Sequence, residues 1–290
     1  MSVPAIFDYH PAQSLDEAIA LLQQYGDDAK VLAGGHSLIP AMKLRLSQPA
    51  HLIDIARIDG LSYIREDGDV VAIGAMTTYT TLAKSDLLRQ RFPLLTDTAS
   101  VLGDQQVRNR GTLGGSIAHS DPAGDMPGVV LALKATIVAK GPNGSRTIAA
   151  DDFFVGTFET ALAPDEILTE IRLPLPGAHT GSAYIKLENK ASHYAITGSA
   201  VVLTLDNAGV CSAASLTITG ASTQTVRATA AEAALVGKKL DSAVIADAAS
   251  HAADGMEAVA DIHGSAEYRR QMTNVIAQRA LLKALERAQA

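Results

Sequence analysis

The residues best suited to chemistry lie at 107–127, VRNRGTLGGSIAHSDPAGDMP. Gly111, Gly114 and Gly115 crowd around Thr112, Ser116 follows, and the carboxylates of Asp121 and Asp125 close the stretch. Glycines let backbone approach a ligand closely, and successive amide N–H groups turned into one concavity suit anionic oxygens such as phosphate. The hydroxyls of Thr112 and Ser116 add donors at the same place. So dense a run of Gly, Pro and small polar residues is expected to form a tight loop, not the interior of a helix or strand. The same composition also suits a glycine-rich structural turn. A second cluster, Ala33-Gly34-Gly35-His36-Ser37, follows a predicted strand at Lys30–Leu32. It precedes a short helix predicted over Leu38–Leu46, with Ser37 as N-cap and Pro40 in the first turn. Strand, Gly-Gly and helix start together make a diphosphate-type site. Neither cluster has the G-x-G-x-x-G spacing of a dinucleotide fold, and no G-x-x-x-x-G-K-S/T is present.

The elements that must hold these clusters follow from periodicity and punctuation. Ser14 and Glu17 form a capping box opening a helix over 14–25, with Leu15, Ala18, Ile19, Leu22 and Tyr25 on one face and Gly26 at its end. HLIDI (51–55) reads as a strand. Leu61–Arg65 and Val70–Gly74 form a hairpin. Thr77-Thr78 caps a helix over 78–84, and 86–102 is helical in two pieces broken near Pro93. A helix over Pro127–Leu133 precedes a second hairpin, Ala135–Lys140 with Arg146–Ala149. Glu166–Leu173 is a strand, and LPLPGAHTGS (173–182) marks a domain boundary. Beyond it, strands at Ala183–Leu187, Ala195–Leu205 and Val210–Thr219 precede helices near 227–236, 242–254 and 265–288. This is an antiparallel sheet with helices on one face.

Composition narrows the function. The 290 residues carry a formal charge of −7, which disfavours nucleic acid as a partner. The single cysteine, Cys211, cannot by itself hold a cluster or a cysteine-based zinc site. No apolar run approaches membrane-spanning length and the N-terminus lacks signal-peptide blocks, so a soluble cytoplasmic protein is expected. His36 is read as a loop residue, His119 as structural, and Arg108 and Arg110 as solvent- or partner-facing.

Taken together, VLAGGHSLIPAMKLR (31–45), IGAMTT (73–78), 107–127 and DEILTEIRLP (165–174) resemble the FAD-binding medium subunit of molybdenum hydroxylases, the carbon monoxide and xanthine dehydrogenase family. The resemblance spans essentially the whole chain. It implies an α+β, two-lobed, non-Rossmann FAD-binding domain of the vanillyl-alcohol-oxidase type over 1–176, with lobes of about 1–55 and 56–176. A C-terminal domain over 177–290 follows. It also implies non-covalent FAD, with Ala33, Gly34, Gly35, His36 and Ser37 around the diphosphate and Thr112, Gly114, Gly115 and Ser116 approaching from the other lobe. Leu32, Leu38 and Leu102 enter the cofactor set by the same resemblance. Asp125 matches a carboxylate that binds ribityl or ribose hydroxyls, Leu168 and Lys186 match positions near the cofactor, and Tyr194 matches an aromatic set against the isoalloxazine. Ser116 stands where many members carry Asn. The four-cysteine insert of some relatives is missing, so no metal is expected in this chain. Molybdopterin on a large subunit and 2Fe–2S clusters on a small subunit are implied for the partners, in a dimer of heterotrimers that reduces an external acceptor. A self-sufficient flavin oxidase would need catalytic residues over the flavin, and none beyond Tyr194 is found. A cofactor-free assembly protein would leave both glycine clusters without a purpose.

Overall fold

The computed structural model describes residues 3–290. The chain opens with β1 (Asp8–Pro11), α1 (Leu15–Tyr25), β2 (Ala29–Leu32), α2 (Leu38–Lys43) and β3 (His51–Asp54). The three strands form a parallel sheet in the order β1-β3-β2, with His51 opposite both Asp8 and Ala29. Helix α1 starts where Ser14 accepts from Glu17 N; the Glu17 carboxylate returns to Gln13 N at 2.7 Å, one residue before the expected partner. Its apolar face, Ala18, Ile19 and Leu22, packs on Ala29, Ile53 and Ile55.

A second sheet follows. β4 (Ile64–Asp67) and β5 (Val70–Gly74) form a hairpin. A helical layer comes next: α3 (Tyr79–Lys84), α4 (Asp86–Arg91), α5 (Pro93–Val101), α6 (Gln105–Arg110), α7 (Leu113–His119) and α8 (Asp125–Ala132). The sheet then resumes with β6 (Thr136–Gly141) and β7 (Gly144–Ala149). A short α9 (Ala150–Phe153), the small ribbon of β8 (Phe154–Gly156) and β9 (Glu159–Thr160), and β10 (Ile167–Pro174) complete the region. The strand order is β4-β5-β10-β6-β7, antiparallel throughout. Val71, Ile73, Ile137, Ile171 and Leu173 meet Leu82, Leu88, Phe92, Leu95, Leu113, Ile117 and Val129 in one core. The break between α4 and α5 falls at Phe92, with Pro93 opening α5 as its fixed φ favours.

The remaining chain forms β11 (Thr180–Glu188), β12 (Ala195–Leu205), β13 (Cys211–Thr219) and β14 (Val226–Arg227). Three helices follow: α10 (Thr229–Leu235), α11 (Ser242–Ser250) and the long α12 (Ala266–Gln289). The four strands pair in sequence order, all antiparallel. The period of two along β12 assigns its faces. Val201, Leu203 and Leu205 point to the α12 side with Ala277, Ala280, Leu281 and Ala284, whereas Ala200 and Val202 join the preceding core. The sheet is thus covered on both faces, by its own helices and by α5 and α8. Thr217 Oγ1 donates to Gly128 O of α8 at 2.7 Å, and Asp97 of α5 takes Lys283 at 3.1 Å and Arg287 at 2.7 Å.

Two expectations are overturned. The stretch 107–127 is not one loop: Gly111 caps the end of α6, Gly114 and Gly115 occupy the first turn of α7, and after a short connection at 120–124 Met126 and Pro127 lie within α8. A first turn lacks the intrahelical partners that glycine would weaken, and two of these amides find partners elsewhere. Gly114 N donates to Ala75 O at 2.8 Å and Gly115 N to Thr112 Oγ1 at 3.1 Å, so Thr112 is the N-cap. Ser37 also departs from expectation. It has αR geometry and makes no capping bond, so its hydroxyl is left for other partners.

Candidate functional site

The two glycine clusters meet where the turn after β2 faces α7. Ala33–Ser37 leave the carboxyl end of β2 and enter α2. Gly35 has φ +80, a conformation that disfavours side-chain-bearing residues. Among the described residues, no carbonyl accepts from the backbone N–H of Gly34, Gly35, His36, Ser37 or Leu38. These amides are half-buried or exposed, so the row of donors is open to an incoming acceptor. Gly34 lies so close to Arg110 O that a Cβ there would collide with it, and a Cβ on Gly115 would stand 3.4 Å from Ala33. The two glycine clusters, about 75 residues apart in sequence, therefore touch.

The first turn of α7 is held from behind. Leu113 N donates to Thr77 O at 3.0 Å, and Thr78 and Thr112 form a bridge. A Cβ on Gly114 would lie 2.8 Å from Ala75 O, so only glycine fits against that strand end. Tyr79 is buried beneath the turn, its amide donating to Gly111 O at 3.1 Å. Burial raises the Tyr79 phenol well above its usual range, and hydrogen bonding to Ser116 draws it back.

The second half of the site joins α8 to β11. Asp125, 6 % exposed, opens α8. Its Oδ1 accepts from the Tyr184 hydroxyl and its Oδ2 from Lys186 Nζ at 2.8 Å. Lys186, with 4 % of its side chain exposed, also donates to His193 O at 2.8 Å. Burial pushes the Asp125 carboxyl up, opposed by the Lys186 charge and the two hydrogen bonds. Tyr184 is raised well above its usual value by burial, then by the Asp125 charge. Tyr194, 44 % exposed, stands one residue beyond His193, whose φ is +59. Burial raises the Tyr194 phenol, the Asp121 charge adds to this, and hydrogen bonding to Ser37 opposes both.

The residues singled out from sequence separate into three groups. Leu32, Ala33, Gly34, Gly35, His36, Ser37 and Leu38 form one wall, and Thr112, Gly114, Gly115 and Ser116 the other. Asp125, Lys186 and Tyr194 form a connected cluster at the side. Leu168 and Leu102 stand apart. Leu168 is buried in the core with Leu113 and Ile117, behind α7, and Leu102 ends α5, where its carbonyl accepts from Arg108. Sequence reasoning missed Tyr79, Ala75 and Tyr184. Tyr184 carried a legible signal: two positions before Lys186 on a strand, it must share that residue's face. His119 is half-buried against Phe158, ring centroids 5.0 Å apart, and burial lowers its pKa.

Comparison with known proteins defines the class. Residues 5–176 match the FAD binding domain in molybdopterin dehydrogenase, and residues 182–284 match the CO dehydrogenase flavoprotein C-terminal domain. The chain belongs to the FAD-binding medium-subunit family of the molybdenum hydroxylases, with its two-domain fold. Among its relatives is the carbon monoxide dehydrogenase medium chain of Hydrogenophaga pseudoflava, 44 % identical over 96 % of this chain and 97 % of the relative. The 6-hydroxypseudooxynicotine dehydrogenase complex subunit alpha of Paenarthrobacter nicotinovorans is 40 % identical over 98 % and 96 %. Among solved structures, carbon monoxide dehydrogenase from Hydrogenophaga pseudoflava superposes with a TM-score of 0.95 at 47 % identity, covering 98 % of this chain and 99 % of that one. Quinoline 2-oxidoreductase from Pseudomonas putida 86 gives 0.92 at 33 %, covering 99 % and 100 %. Among the described residues no helix is long and apolar enough to cross a membrane.

Proposed function

We propose that this chain is the FAD-carrying electron-transfer subunit of a multi-subunit molybdenum hydroxylase. The observation that carries the reading is the row of unpaired amides at Gly34–Leu38, set against the first turn of α7. A diphosphate needs several donors converging without a bulky side chain between them; the Gly34–Leu38 amides supply them, and the facing turn of α7, whose own amides are already bonded, adds the hydroxyls of Thr112 and Ser116. Each charge-assisted hydrogen bond contributes about 1.5–3 kcal/mol, so a few hold a cofactor without a covalent link. Gly34–Ser37, Thr112, Gly115 and Ser116 would hold the diphosphate of FAD. Leu32, Ala33, Leu38, Leu102, Asp125, Leu168, Lys186 and Tyr194 complete the proposed set. Asp125 enters it as one member of an internal ion pair, so its part is to fix Lys186 and the start of α8 as much as to meet a sugar hydroxyl. When bound, FAD supplies electron exchange between 2Fe–2S clusters of a small partner subunit and an external acceptor. Substrate oxidation is assigned to a large molybdopterin subunit, in a dimer of heterotrimers. The flavin domain is proposed to end at residue 176. Relatives named for carbon monoxide dehydrogenase, a 6-hydroxypseudooxynicotine dehydrogenase complex and quinoline 2-oxidoreductase support this reading without choosing a substrate.

The direct test is Gly115→Val. A Cβ there would stand 2.7 Å from Thr112 Oγ1, and the added methyls would fill the space before the amides. The purified variant is expected to keep its circular dichroism and lose its flavin. Full flavin occupancy would remove α7 from the site.

A further inference from the structure

Arg269 is the charged residue whose burial the proposed function does not use. It lies in the first turns of α12 and is 3 % exposed. Its Nη1 donates to Ile196 O and Gly220 O, both at 2.6 Å, and its Nη2 to Asp261 Oδ2 at 2.7 Å. Its Nε is buried with no partner among the described residues. Its carboxylate partner Asp261 has 46 % of its side chain exposed, so the ion pair itself adds little net stability. An apolar side chain would leave Ile196 O and Gly220 O without this donor. What the guanidinium adds is direction, because its planar fork holds several acceptors at fixed angles.

Each acceptor leads toward the proposed flavin site. Ile196 lies two residues beyond Tyr194, at the start of β12. Asp261 accepts from His263 N at 2.8 Å, and His263 Nδ1 meets Asn189 Nδ2 at 2.9 Å. Asn189 begins the loop that bears Tyr194. Its N–H donates to Tyr194 O at 2.9 Å and its carbonyl accepts from His193 N at 2.8 Å. Arg269 therefore grips both ends of that loop, Ile196 directly and Asn189 through the Asp261–His263 turn. The third acceptor, Gly220, has φ +78 and would strike Ala195 O with any Cβ. Its own N–H donates to Pro122 O at 2.8 Å, in the segment that leads into Asp125. Thr273, one turn along α12, fixes the helix to β12 through Thr197 at 2.8 Å.

We infer that Arg269 is a positioning residue for the flavin site: one buried guanidinium sets the Tyr194 loop and the Pro122 turn relative to each other. The loop carries left-handed His193, a conformation that persists only where surroundings enforce it. Arg269 supplies that enforcement at the two ends of the loop, through Ile196 and, by way of Asp261 and His263, through Asn189. The inference rests on the flavin-binding reading for its consequence, but the clamp itself has a signature that needs no cofactor.

The test uses the full chain with Arg269→Lys, which keeps charge and loses the fork, and His263→Ala, which cuts only the exposed link to Asn189. In the FAD-free chain, amide exchange is expected to accelerate at 189–196 and 120–124 in Arg269→Lys, and at 189–194 alone in His263→Ala. Exchange at 137–141, in the other sheet, stays unchanged. With FAD, Arg269→Lys should weaken affinity by roughly tenfold, the scale of one hydrogen bond. That loss should largely vanish in a Tyr194→Ala background, because the effect passes through Tyr194. Unchanged exchange at 189–196 in both variants overturns the clamp. A weakening that adds fully to that of Tyr194→Ala also overturns it, leaving a purely structural role. An unmodified chain that binds no FAD yet shows the expected exchange pattern refutes the flavin reading while supporting the clamp.

Discussion

Lys186→Met removes one partner of a buried pair and keeps the unbranched stem of the side chain, short only of the terminal ammonium. The lost contacts are Asp125 Oδ2 and His193 O, each at 2.8 Å. Asp125 then faces burial with only the Tyr184 hydroxyl for company. Removing one member of such a pair costs about 3–5 kcal/mol. A second route gives the same scale. The carboxyl can escape an uncompensated charge by taking a proton, and from a solution pKa of about 3.9 that costs roughly 4 kcal/mol at pH 7. The sign of the pH dependence follows. Burial raises the folded-state pKa of Asp125, so its contribution is fully present below the unfolded pKa and is lost as pH rises through the folded one. In the unmodified chain the Lys186 charge and two hydrogen bonds limit that rise, so the loss ends early. In Lys186→Met it continues to higher pH. The gap between the two proteins should widen by about 1.4 kcal/mol per pH unit between the two folded pKa values. Urea unfolding at pH 5, 6 and 7 measures it. Asp125→Asn combined with Lys186→Met should recover much of the loss, since neither charge remains. A penalty independent of pH, or a double variant as unstable as the single one, would refute the reasoning.

Thr112→Ala deletes the N-cap of α7 and should cost about 1 kcal/mol, a fall in Tm of about 2–4 °C for a chain of this size. Calorimetry checks this, and an unchanged Tm would mean that Gly115 N has found water or another acceptor. The same variant should also bind FAD more weakly, read by ultrafiltration, because the turn that presents Gly115 and Ser116 loosens. Tyr194→Ala, at a partly exposed position, should leave unfolding unchanged and shift the flavin absorption or its midpoint potential. Unchanged values for both would take Tyr194 out of the site.

Much of the fold was legible because punctuation and periodicity agreed. Ser14, Thr78 and Pro93 marked helix starts, and the structure uses all three. The long strands Ala195–Leu205 and Cys211–Thr219 and helix α12 were plain from their patterns. The glycine content of 107–127 points to loop, whereas what decides the structure is where in a helix those glycines fall. Thr112 at an N-cap makes Gly114 and Gly115 first-turn residues, and their partners, Ala75 O and Thr112 Oγ1, are long-range or side-chain groups that no local rule reveals. Ser37 failed as a cap for the converse reason. Its residue type suits the position, but its αR backbone is not the extended conformation that lets an N-cap hydroxyl reach back to the helix amides. The contact between the two glycine clusters is tertiary throughout, resting on Gly34 against Arg110 and Ala33 against Gly115. Arg269 was invisible in sequence, since a basic residue early in a long helix ordinarily faces solvent.

If the two glycine walls hold FAD without a covalent bond, acid will release it. A visible spectrum of the purified chain, followed by acid precipitation and chromatography of the supernatant, tests this most directly. Absorbance at about 450 nm, as for an oxidised flavin cofactor, is expected, with FAD released into solution. A colourless chain that takes up no added FAD would contradict this, as would a flavin that stays with the precipitated protein.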